Sequence, residues 1–243
     1  MDSIINKIKE TGYWKVIIRP VEFDEKRIAD KDTAAKIVED SKIAFRGWDY
    51  PHIDRQEGIV RSGSDSVSSF CDWSEGGHFE FWKLYLNGQF VHYFSIVEDY
   101  KISEKQKQQI RDSFHFSKLD KDNQRFLSII NALYTVTEIY FFAANLAKSS
   151  NFGKEIEIII ELDNVDGRAL FFWGEPFRHL FQAYICRYQP IEEKRIVQTE
   201  ELIKNPAELA LDFTMDIFKE FNWKDVNKDV FVGDQKKLIE RRF

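Results

Sequence analysis

The sequence predicts an α+β fold: a central, mainly antiparallel sheet built on a hairpin at 78–96, covered by helices that include a long one at about 122–149. Three observations carry this. The run HFEFWKLYLNGQFVHYFSI places β-rich residues on both sides of Asn87-Gly88, a strong short-range hairpin signal. Residues 126, 129, 130, 133, 136, 140 and 144 are apolar at helical spacing, and further apolar residues widen the stripe, as in a helix buried on most sides. Helices and hairpins are mixed along the chain with no repeat and no Pro- or Gly-rich linker, which predicts one compact α+β unit over residues 1–243.

Asp2 opens a short helix carrying Ile4, Ile5 and Ile8, which Gly12 stops. YWKVIIR, residues 13–19, is a strand that ends at Pro20. Residues 32–40 read as a helix and KIAFR, 42–46, as a short strand. Residues 56–77 are the loosest part, small and polar, either a mobile loop over a site or a plain loop. A two-residue turn at Asn87-Gly88 sets the hairpin register, with Leu84 facing Val91, Lys83 facing His92 and Trp82 facing Tyr93. Lys83 and His92 then share one face with Phe79, Phe81, Tyr85, Phe90 and Phe94, while His78 and Glu80 lie on the other. Both faces are largely apolar, which predicts an interior position covered on both sides.

Ser103 and Gln106 form a capping-box pattern for a helix at 104–113. Asn131, Glu138 and Asn145 recur at seven in the long helix. They form a narrow stripe facing solvent or, if Glu138 is buried, one needing a donor such as Lys83 or Arg46. KEIEIIIELDNVDGRALFFW reads as two strands around Asp166-Gly167. Pro176 opens a helix carrying Phe177, Leu180, Phe181, Tyr184 and Ile185. Residues 191–197 suit an edge strand. Asn205-Pro206 starts a helix to about 221, and a basic helix follows Asp234.

The chain carries 35 basic and 41 acidic residues, a net charge of −6, which disfavours a general nucleic-acid coat. A basic segment at 101–125 and the tail KKLIERRF leave a local nucleic-acid patch open. Cys71 and Cys186 form no metal-type spacing, and the amphipathic N-terminus is unlike a secretory segment, so a reducing cytoplasm is expected. The apolar stretch at 132–147 contains Glu138 and Asn145 and is too short to span a bilayer, so no membrane is expected. GxxxxGK[ST], GxGxxG after a strand, HExxH and GxSxG are all absent, and no cofactor is implied.

The run AFRGWDYPHIDR, residues 44–55, concentrates functional groups. Gly47 permits a turn and Pro51 holds Tyr50 extended. Trp48 and Tyr50 suit an interface or stacking on a planar ligand. Arg46 and Arg55 suit a carboxylate or phosphate. Asp49, His52 and Asp54 can orient those arginines or act as acid–base groups. Lys83 and His92 on the aromatic hairpin join this ligand- or partner-binding set. A metal, if bound, would use Asp49, His52, His78 and Glu80. A set combining His78, Glu80 and His92 is disfavoured by the expected register.

WKVIIRP, RGWDYPHID, FWKLYLNGQFVH and TEIYFFAANL together resemble a group of bacterial proteins associated with defence-type gene neighbourhoods and Schlafen-like DNA-binding modules, over roughly 13–147. The resemblance implies a bacterial source and an antiviral-defence or regulatory setting, and assigns no catalytic residue. The expected function is a cytoplasmic sensing or interaction module that binds a protein partner or a small anionic ligand through 46–55 and the hairpin. The alternatives are a metal-dependent hydrolase or nuclease and a nucleic-acid-binding protein.

Overall fold

The computed structural model describes residues 2–61, 63–113, 125–149, 152–173 and 178–241. In order, the elements are α1 (Asp2–Lys9), β1 (Tyr13–Pro20), α2 (Lys31–Ser41), β2 (Ser66–Trp73), a 3-10 turn at Ser74–Gly76, β3 (His78–Tyr85), β4 (Phe90–Ser95) and α3 (Glu98–Lys101). Then come α4 (Glu104–Ser113), β5 (Phe126–Ser128), α5 (Ile129–Ser149), β6 (Glu155–Asp163), β7 (Ala169–Phe171), β8 (Ile191–Gln198), α6 (Thr199–Lys204), α7 (Pro206–Glu220) and α8 (Asp229–Ile239). This is the expected α+β class. Six strands form an antiparallel sheet in the order β2-β3-β4-β1-β6-β8, and β5 and β7 form a separate parallel pair. The hairpin strands β3 and β4 are interior, and β8 is an edge, as expected.

The hairpin register differs from the expected one by a residue. Phe90 faces Leu84, Val91 faces Lys83, His92 faces Trp82, and Phe94 faces Glu80. The connection is a three-residue loop, because Gly88 N–H donates to Tyr85 O at 2.9 Å, Tyr85 N–H donates to Gln89 O, and Gly88 follows with φ +88°. This is a tight turn followed by a left-handed glycine, a bulge that adds one residue. A one-residue slip changes which residues share a face. His78, Glu80, Trp82, His92 and Phe94 now stand on one face, and Lys83 stands on the other.

That first face is the core. Trp14, Val16, Ile18, Trp82, Leu84, Phe90, Ile156, Ile158, Ile160 and Leu162 are buried there against α5 and the rest of the main hydrophobic cluster. At ~25 cal/mol per Å² of buried apolar surface, such side chains dominate the driving force for folding. Among the described residues the second face is covered at one end, where Ile4 and Ile8 of α1 pack on Tyr13, Phe79 and Phe81. Elsewhere it carries cross-strand ion pairs, Lys15–Glu161 and Arg19–Glu157. Complete cover on both sides is therefore corrected: the charged residues of β1, β6 and β8 keep that face half in water.

Several local expectations change for identifiable reasons. Residues 66–73 of the expected loose loop form β2, pairing with β3 from Ser66↔Tyr85 to Trp73↔His78. Ser66, Ser68 and Ser69 are buried, small enough to lie under the 54–60 segment, where Ser69 Oγ donates to Gly58 O. Residues 42–46 are no strand: Ile43 and Tyr50 exchange backbone hydrogen bonds of 3.0 and 2.7 Å around a turn at Gly47 (φ +89°). The long helix begins at Ile129, since Phe126–Ser128 pairs with β7; residues 122–124 lie outside the described residues. β6 and β7 belong to different sheets and make no hairpin. Residues 178–185 are irregular because this segment pairs its backbone with β7, Leu170 N–H donating to Tyr184 O; Pro176 and Phe177 lie outside the described residues. The last helix starts at Asp229, with Asp234 inside it, buried and paired to Arg178.

The capping box is present: Ser103 N–H donates to Gln106 Oε1 at 2.9 Å and Gln106 N–H donates to Ser103 Oγ at 3.3 Å. At 21 residues, α5 is long and apolar enough to cross a bilayer, which corrects the shorter expected span. Most of it is buried within the protein, and it packs on α2 and α7 as a core helix.

Candidate functional site

At one end of the core face the sheet and α5 diverge, and a cavity of about 840 Å³ opens between them. Trp14 and Phe94, stacked on neighbouring strands at 6.0 Å, form its floor. The first turns of α5, the end of β2, α3 and the segment 46–56 form its walls. Trp48 and Trp73 stand at the lining 52% and 57% exposed. Trp173 completes a set of four tryptophans. Arg46, Arg55 and Lys101 bring positive charge, and His52 and His78 bring imidazoles. The Arg46 guanidinium and the Lys101 ammonium lie 5.7 and 5.8 Å from the Trp48 ring, within cation–π range.

One wall is organised around a buried carboxylate. Glu80 Oε1 accepts from His52 N–H at 2.8 Å and lies 2.8 Å from His92 Nε2; Glu80 Oε2 lies 2.8 Å from His78 Nε2. On its far side His92 Nδ1 meets the Tyr50 hydroxyl at 3.1 Å. Trp82 Nε1–H donates to His52 O at 2.6 Å, pinning the same loop residue from below. Burial works to raise the Glu80 carboxyl, but the adjoining His92 and His78 outweigh it and hold the group well below the usual carboxylate range. Burial, with Glu80 nearby, pushes the Tyr50 phenol far above its ordinary value. Tyr50 therefore stays a neutral phenol and holds the His92 ring through Nδ1, on the side away from Glu80.

The segment 46–56 is anchored in three places. Arg46 Nε donates to Glu138 Oε2 at 3.0 Å, its Nη2 makes a second, shorter bond to the same oxygen, and Glu138 is completely buried. Lys42 and Asp49 pair at 2.9 Å on the outside. Asp54 Oδ1 accepts from the backbone N–H groups of Gln56 and Glu57. The polar stripe of α5 is hydrogen-bonded to other segments of the protein: Asn131 Nδ2 donates to Glu98 Oε1 at 3.1 Å, and Asn145 Nδ2 donates to Ser41 O. This corrects the solvent-facing alternative, because three different segments supply partners.

Of the expected binding residues, Arg46, Trp48, His52 and Arg55 line the cavity. Tyr50 and His92 are buried behind its wall, and Asp49 points to Lys42. Lys83 lies on the opposite sheet face, its Nζ 5.2 Å from the Tyr85 ring. The supposed metal set is dispersed. His78 and Glu80 are bonded to each other, His52 offers Glu80 a backbone N–H, and Asp49 is elsewhere. Among the described residues no three His, Cys, Asp or Glu side chains stand in metal-binding geometry. The rejected trio of His78, Glu80 and His92 is the one that converges, because the register moved. Residues 114–124 of the basic 101–125 segment lie outside the described residues.

Sequence reasoning missed Trp14, Cys71, Trp73, Phe94, Glu98, Lys101, Asn131, Thr135 and Trp173 as lining residues. Phe94, Lys101 and Asn131 belong to the hairpin, the basic segment and the polar stripe, but no local pattern ties these residues to one space, and the cavity joins them from distant segments. Burial pushes the Cys71 thiol up to about 11, so it stays protonated and is no thiolate nucleophile. Glu98 is buried, and that desolvation raises its carboxyl above the ordinary 4.5, with Asn131 and the Ser128 N–H opposing. A raised folded value means the folded protein binds the extra proton, so this group's effect on stability worsens as pH rises above 4.5. Glu98→Gln keeps the acceptor oxygen. Its stability relative to the parent is expected to improve progressively from pH 4 to pH 7, measured as the urea midpoint at each pH.

The chain is thus an α+β protein with an aromatic, cation-lined cavity at the end of an antiparallel sheet. No family model, curated protein or solved structure matches it.

Proposed function

We propose that this chain is a bacterial cytoplasmic sensing or interaction module, working in a defence or regulatory system, that binds a small planar anion in the cavity beside residues 46–56. One observation carries the reading: four of the six tryptophans meet Arg46, Arg55 and Lys101 around one space. Indole faces favour flat, delocalised ligands, and exposed cations favour phosphate or carboxylate. The volume falls within the range of small-molecule sites, ~300–1,000 Å³. Arg46 is already neutralised by Glu138, so Arg55 and Lys101 are the residues available to the anion.

Titration of the intrinsic tryptophan fluorescence with adenosine 5′-monophosphate, adenosine and inorganic phosphate tests this. The monophosphate is expected to bind at least about tenfold more tightly than either fragment, because it alone uses both ring and charge. Trp48→Ala and Lys101→Ala are each expected to weaken it by about five- to tenfold without lowering the melting temperature, about 1–1.4 kcal/mol of lost contact. Equal affinity for monophosphate and adenosine would remove the anion from the reading.

A further inference from the structure

The wall centred on Glu80 has more organisation than ligand binding alone requires. Among the described residues, His78 Nε2 is held by Glu80, and no protein group partners His78 Nδ1. The side chain is 33% exposed and lines the cavity, so Nδ1 is the nitrogen left for a ligand. Glu80 is itself fixed by the His52 N–H and by His92, which Tyr50 orients in turn. A carboxylate-oriented imidazole with its second nitrogen open to a pocket is an arrangement suited to a general base. A second imidazole stands close by. The His52 ring lines the same cavity, 6.4 Å from the His78 ring and nearly perpendicular to it. His52 is anchored entirely through its backbone, by N–H to Glu80 and by its carbonyl from Trp82, so its ring carries no structural hydrogen bond among the described residues.

Two imidazoles at that separation, beside Arg55 and Lys101, suit acid–base chemistry on a phosphodiester. Resting on the anion-binding reading above, we propose that His78 and His52 form the general base and general acid of a site that cleaves ribonucleotide phosphodiesters by internal transesterification. His78 Nδ1 removes the proton from the ribose 2′-hydroxyl. The 2′-oxygen attacks phosphorus, the P–O5′ bond breaks, and the His52 imidazolium gives its proton to the departing 5′-oxygen. The products are a 2′,3′-cyclic phosphate and a free 5′-hydroxyl, and no other reactant enters. Arg55 and Lys101 offset the charge developing on the phosphoryl oxygens, the indoles hold the bases, and Glu80 is a positioning residue acting through His78.

The test uses the full chain with adenylyl-(3′,5′)-adenosine and its 2′-deoxy counterpart. The ribose form is expected to yield adenosine 2′,3′-cyclic phosphate and adenosine, and the deoxy form to bind without cleavage. His78→Ala and His52→Ala are each expected to lose about 10²- to 10⁴-fold in kcat while retaining deoxy-dinucleotide affinity. Added imidazole is expected to restore part of the His78→Ala rate. Glu80→Gln is expected to lower kcat with KM kept. Binding of the deoxy form with no cleavage of the ribose form overturns the acid–base assignment and leaves the binding reading intact. Absence of binding overturns both. Wild-type rates in His78→Ala, or equal cleavage of the deoxy form, also overturn the assignment.

Discussion

Arg46→Ala is expected to destabilise the protein by about 3–5 kcal/mol, read as a lower urea midpoint at pH 7 with an unchanged slope. Glu138 has no exposed surface, and among the described residues its Oε1 has no hydrogen-bond partner; Arg46 is the cation that neutralises it from the cavity wall. Removing the guanidinium leaves a buried carboxylate on α5 without its paired cation. The double variant Arg46→Leu/Glu138→Leu is expected to recover most of the loss, because no charge then remains to desolvate. A single variant as stable as the parent would mean that water reaches Glu138. Arg46 and Trp48 therefore separate experimentally, although the sequence groups them. Arg46 anchors the segment through its pair with Glu138, while Trp48 stays half-exposed at the cavity.

Glu80→Ala is the second large effect, about 3 kcal/mol or more, because it leaves the His52 N–H and two imidazole nitrogens without their acceptor in a buried place. The pH dependence gives an independent readout. The folded protein holds the Glu80 carboxyl below its ordinary value of 4.5, so the unfolded chain binds the proton more readily. Its contribution to stability is complete above about pH 4.5 and is lost as pH falls further into acid. The parent is therefore expected to lose stability between pH 5 and pH 3 more steeply than Glu80→Ala. Parallel slopes over that range would sink the claim. Glu98 acts in the opposite direction, since its raised carboxyl disfavours the folded state as pH rises. The two carboxyls are distinguishable by sign alone.

Much of this was legible in the chain. The α+β class, β1, α2, the interior hairpin, the capping box of α4, the Pro206 start of α7 and edge strand β8 all follow from local pattern. So does the density of functional groups in 46–55, five of whose residues line the cavity. What failed did so at junctions. One extra residue in the 86–88 turn moved Lys83 away from His92 and brought His78, Glu80 and His92 together. Asn87-Gly88 advertises a turn without stating whether the loop has two residues or three. β2 was hidden because serines carry little strand preference, and its order comes from β3 and the overlying 54–60 segment.

The amino-acid order by itself determined which segments become helices and strands and which short run is dense in chemistry, since apolar periodicity, caps and turn residues act over a few neighbours. Only the tertiary structure decided that Arg46 is buried against Glu138, that Glu80 binds two histidines, and that four tryptophans from distant segments enclose one space. The reason is physical: a side chain's charge state and hydrogen-bond partners depend on what desolvates it, and those neighbours lie far away along the chain, 159 positions apart for Trp14 and Trp173, beyond the reach of any local pattern.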